Sequence, residues 1–251
     1  MMKTYGTGKR GTPCLLAGTA AAVMLIGFGL ARGQREQQPE ETYEKQRAFG
    51  EARVRGGLRE AARIKGNYVE AYDYHFHEVP TSVEGLTKKS ELVVVGIPLD
   101  NRCRLTKDGF IIHTVYDLRV QEVIKGEGVE PGATLKVALP GGKVRFKDGA
   151  TAEIVTPGFE KMINGRTYAL YLNKRPRGDG DLYDKPDIVV YGLTAGPQGL
   201  FEIPTDGTKV KSHAEPSTPV AKETKDKDAP AFLAEARDLA RRHPRPSKCC
   251  Q

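Results

Sequence analysis

The chain has 251 residues, 39% of them apolar and 28% charged, with four cysteines and a formal charge of +7. This is ordinary globular composition with solvated extensions, long enough for one or two domains with a real core. The charge excess is modest, and no dense Arg/Lys stripe with interleaved aromatics occurs, which argues against nucleic-acid binding.

Residues 1–14 carry Lys3, Lys9 and Arg10 and no acid, and the next 17 residues, LLAGTAAAVMLIGFGLA (15–31), carry no charge. A basic lead before an apolar run predicts a signal peptide or membrane anchor. Gly29 and Ala31 are small residues at −3 and −1 of a cut before Arg32. The run exceeds the roughly 7–15 residues of a cleaved signal and nears the roughly 18 of a spanning helix, so both fates stay open. The expected location is therefore export to the cell envelope, membrane-anchored through 15–31 or secreted. Loss of this segment would remove three positive charges and no acid.

Residues 32–70 are polar and charged. Phe49, Ala52 and Leu58 hint at a helical face, but Gly50, Gly56 and Gly57 weaken it, so a spacer with a weak helix is expected. In YDYHFH (72–77), an extended backbone would put Asp73, His75 and His77 on one side and Tyr72, Tyr74 and Phe76 on the other. TSVE (81–84) fits a capping box of Thr81 with Glu84, opening a short helix to about Lys89.

The texture then becomes β. LVVVGIPL (92–99) reads as a buried strand. FIIHTVYDLRVQEVIKG (110–126) alternates, with Ile112, Thr114, Tyr116, Leu118 and Val120 opposite His113, Asp117, Arg119 and Gln121. Its phase shifts near Val123 and Ile124, which predicts a bulge. Residues 133–140, 166–174 and 187–192 supply further strands, and 199–204 with 207–212 a closing hairpin. Val94, Tyr116, Leu118, Val120, Leu135, Leu170 and Val190 are the expected interior. Residues 213–229 read as a linker, 230–243 as a helix with the stripe Phe232, Ala236, Leu239 and Ala240, and 244–251 as a tail. The pattern predicts a mainly β fold, a small β-barrel over 71–212 with N- and C-terminal helical extensions.

The segments SELVVVG, YDLRVQEVIKGEG, VALPGG, FEKMINGRTYALYLN and GPQGLFEI resemble a domain of exported bacterial proteins. That domain is itself similar to the OB-type barrel of netrin-like modules and metalloproteinase inhibitors. The resemblance spans roughly residues 82–212 and implies an OB-like barrel. Protease inhibition is not implied, because those inhibitors use an N-terminal cysteine and several disulfides, whereas Cys103 alone lies within this barrel.

Chemistry is sparse. Asp73, His75 and His77 are the candidate metal ligands, set against the plain reading of a half-buried strand with aromatics inside. HEVPT lacks the second His of a zinc helix, since Thr81 stands in its place. Asp179, Asp181, Asp184 and Asp187 crowd one loop, but not at EF-hand spacing. Cys103 with His113 is a conceivable nucleophile and base, and Cys103 could instead pair with Cys249 or Cys250 in an oxidising compartment. None of Ser82, Ser90, Ser212, Ser217 and Ser247 lies in a nucleophile-elbow motif, and no P-loop or dinucleotide fingerprint predicts a cofactor. The expectation is an exported, envelope-associated binding or structural module without catalytic activity, its partner a protein or envelope component. The alternative is a metal-binding protein or metal-dependent enzyme built on Asp73, His75 and His77.

Overall fold

The computed structural model describes residues 38–72, 79–176, 182–183, 187–206 and 208–244. The chain divides into two compact units, 1–45 and 46–251. In the first, the described residues are helical; every strand named below belongs to the second.

Helix α1 (Gln38–Lys65) is interrupted at Gly57, whose φ of 63° and ψ of −156° are not helical. The reason is a close approach: a Cβ there would lie 2.4 Å from the Gly109 carbonyl oxygen, to which Leu58 N–H donates at 2.8 Å. One of the glycines that weaken the helix in sequence, Gly57, thus serves to break it. Beyond the break, Leu58 and Ala62 are buried against Ile112, Ala152 and Ile154.

Strand β1 (Asn67–Ala71) comes next. Helix α2 (Val83–Lys89) is capped by Ser82, not Thr81: the Ser82 Oγ accepts from Gly85 N–H at 3.0 Å. Glycine therefore occupies the position where a capping box needs its acid. The Val83 N–H donates instead to the Glu223 carboxylate, 2.9 Å away, so the acid comes from the far end of the chain.

Strands β2 (Leu92–Leu105) and β3 (Ile112–Lys125) form the long central pair. Their register shifts between Val93 and Val94, which pair with Lys125 and Val123, leaving Ile124 as the extra residue where the phase change was expected. The remaining strands are β4 (Thr134–Pro140), β5 (Gly142–Arg145), β6 (Thr151–Val155), β7 (Tyr168–Lys174), β8 (Val190–Leu193), β9 (Leu200–Glu202) and β10 (Lys211–Ser212). A three-stranded sheet runs β1-β6-β5, and a seven-stranded sheet runs β10-β9-β7-β2-β3-β4-β8.

The expected small OB-like β-barrel is corrected by this topology. The fold is mixed α/β, and its large, mostly antiparallel sheet is not closed into a barrel. β8 pairs with β4 and with the end of β7, but the sheet continues past β7 to β9 and finishes on β10. The helices that follow β1 are likewise not extensions but a layer. Val93, Val95, Tyr171 and Phe201 on one face are buried under Val83 and Leu86 of α2 and under Val220, Phe232 and Leu239. These last three belong to α3 (Pro219–Thr224) and α4 (Ala229–Arg242). The opposite face buries Leu92, Val94, Tyr116, Leu118, Val120, Leu135 and Leu170. The run LVVV is apolar on both sides because both sides are covered.

Smaller features also depart from expectation. Val190 is only half-buried, and its neighbour Tyr191 turns inward. Residues 213–229 are no solvated linker: they contain α3, and His213, Ala214, Val220, Ala221 and Thr224 are buried. Helix α4 has its expected stripe buried, with Arg242 3.0 Å from Asp238. Among the described residues no helix is long and apolar enough to cross a membrane; the run 15–31, on which the membrane-anchored expectation rests, lies outside them.

Candidate functional site

Three strands converge at one end of the large sheet. β8 meets β4 through Gly192 and Ala138, and meets the end of β7 through Tyr191 and Lys174. Between them lies a cleft of about 310 Å³, walled by Leu139, Pro140, Phe159 and Leu193, with Lys174 and Arg175 along the β7 side.

Arg175 is fixed from three directions. Its backbone N–H donates to the Val190 carbonyl at 2.9 Å. Its stem lies beside Gly192, where a Cβ would stand in ordinary contact, 3.4 Å from Arg175 Cγ. Its Nη1 donates to His113 Nε2 at 2.8 Å. His113 lies on β3, 1% exposed, opposite Arg104 on β2 and Pro140 on β4.

Burial first, and then the Arg175 charge, pushes the His113 pKa down to about 3. At neutral pH the imidazole is uncharged: Nε2 is the acceptor and Nδ1 carries the proton. Among the described residues Nδ1 has no hydrogen-bond partner, and neither has Arg104 Nε. The Arg104 guanidinium instead stacks 4.2 Å from the Tyr183 ring centroid.

The pH consequence has a definite sign. Below about pH 6.5 the unfolded chain binds a proton at His113 that the native chain refuses, so stability falls with pH by about 1.4 kcal/mol per unit until the native pKa is reached. Urea melts between about pH 6 and pH 4 should show His113→Gln to be less pH-sensitive than the parent by roughly that slope. Parallel slopes would mean that His113 is charged in the native state. Burial also lowers the pKa of His213, but that residue is common to both proteins.

Backbone strain borders the same cleft. Ala195 has a φ of 53° and Gly196 follows at 63°. A non-glycine residue held there costs roughly 1–3 kcal/mol. Neighbouring bonds hold the turn: Thr194 N–H donates to the Tyr171 carbonyl at 2.8 Å, and Ser90 Oγ to Thr194 Oγ1 at 2.9 Å. A second hollow of about 200 Å³ includes Asp100, Arg102, Arg104, Asp117 and Lys136. There the charges largely answer one another, Arg102 with Asp100 and Lys136 with Asp117.

The candidates from sequence fare differently. Asp73, His75 and His77 lie outside the described residues, as do Asp179, Asp181, Asp184, Cys249 and Cys250. Asp187 is exposed. Among the described residues no group of three or more His, Cys, Asp or Glu side chains is placed to hold a metal. The pairing of Cys103 with His113 is corrected: Cys103 sits opposite Thr114, one residue from His113, so the two side chains project from opposite faces. Among the described residues Cys103 forms no disulfide, and its thiol lies 3.6 Å from Thr114 Oγ1. Arg175 and Gly192 were missed in the sequence. Arg175 opens the stretch RPRGDGDLYDKPD, which draws attention to its acids rather than to its first residue.

No family model and no curated protein matches the chain. The likeness to the netrin-like barrel is overturned by the sheet, which does not close.

Proposed function

We propose that the chain is a non-catalytic binding module whose ligand occupies the cleft between β4, β7 and β8. The observation that carries this reading is an apolar cleft of about 310 Å³ beside a guanidinium fixed by a neutral, buried histidine. Small-molecule sites combine a mainly apolar hollow of at least roughly 300 Å³ with a few placed polar groups. The strained turn at Ala195 and Gly196 supports the same location, since strain of this kind gathers at ligand sites. The separation of Cys103 from His113 supports binding over nucleophilic catalysis.

A neutral probe tests the location. On titration with 1-octanol, amide chemical shifts should move at residues 138–139, 173–175 and 192–196. Shifts centred elsewhere, such as around the exposed Val54 of α1, would contradict the assignment.

A further inference from the structure

Resting on the cleft as the binding site, we infer that its ligand is a small organic acid: an apolar body carrying one carboxylate. Size sets the first limit. At roughly 30 Å³ for each water-sized group, the cleft holds about ten non-hydrogen atoms. The walls set the second: Leu139, Pro140, Phe159 and Leu193 offer an apolar body contact area and no hydrogen bonds from their side chains.

Charge sets the third. Lys174 and Arg175 have no carboxylate partner for their side chains among the described residues. The nearby Glu91 carboxylate accepts the Lys174 backbone N–H at 3.3 Å. Arg175 spends one Nη1 hydrogen on His113 and keeps others in the planar fork that matches a carboxylate. Because His113 is neutral, it orients that fork without offsetting its charge. Among the described residues the half-buried guanidinium therefore has no counter-ion, and the ligand's carboxylate supplies one.

Calorimetric titration of the full chain with octanoate, 1-octanol and acetate separates the components of this claim. Octanoate should bind, and acetate should bind at least about tenfold more weakly because it lacks the body. Arg175→Gln should weaken octanoate by about tenfold or more and leave 1-octanol within about twofold. Lys174 is exposed, so Lys174→Gln gives a second variant that keeps the fold; it should weaken octanoate by about threefold. Equal affinity for octanoate and 1-octanol, indifferent to both substitutions, would overturn the acid while leaving the cleft standing. Acetate binding as well as octanoate would overturn the apolar body. Failure of both octanoate and 1-octanol to bind would overturn the cleft itself.

Discussion

Phe232→Ala will destabilise the protein by about 3–5 kcal/mol, the cost of truncating a fully buried aromatic ring. Phe232 is 0% exposed on α4, and its ring centroid lies 4.8 Å from that of Phe201 on β9. Phe201 in turn meets Tyr171 of β7 edge-on at 5.7 Å. The chain Phe232–Phe201–Tyr171 therefore couples the last helix to the large sheet, and such ring pairs add roughly 0.5–1.5 kcal/mol beyond area burial. Val83, Leu86 and Leu239 complete the same cluster. Denaturant melts check the value. A loss below about 1 kcal/mol would mean that α4 is an appendage rather than a layer of the fold.

Leu118→Ala tests the opposite face and should cost roughly 2–5 kcal/mol. Leu118 is 0% exposed on β3, paired with Pro98 and Leu135 on the two flanking strands. It packs in the cluster that holds Val94, Tyr116, Leu135 and Leu170. Gly96 lets it sit close, since a Cβ on that residue would come within 3.0 Å of Leu118 Cγ. The vacancy left by alanine is bordered by paired strands on both sides, which resist collapse. A melt showing less than about 1 kcal/mol would put Leu118 on the wrong face.

These two residues also show what the sequence made legible. Period-two alternation along β3 identified Tyr116, Leu118 and Val120 as interior, and the 3.6-residue stripe of α4 identified Phe232, Ala236, Leu239 and Ala240. Neither pattern says what covers the other side of a strand. Val93, Val95 and Tyr171 are buried by helices that arrive from distant sequence, so a barrel was expected where a helix-covered sheet exists. β5 and β6 escaped notice because they are short and carry Lys143, Arg145 and Glu153 outward. The pairing of β1 with β6 joins residue 67 to residue 151, a separation that no local signal reports.

The cleft was illegible for a related reason. Arg175, His113 and Gly192 come from three separated segments, and each alone is ordinary. His113 falls on what the alternation marks as the polar face of β3, yet Leu182, Val115 and Ala138 form an apolar cluster over that end of the strand. Burial there, not residue type, is what makes His113 neutral and lets it hold Arg175.

The most direct test of the central claim is a crystal structure of the full chain grown with octanoate. A carboxylate is expected within hydrogen-bond distance of the Arg175 guanidinium, its chain lying between Phe159 and Leu193. Octanoate seated elsewhere, or in the cleft with its carboxylate turned away from both Arg175 and Lys174, would contradict it.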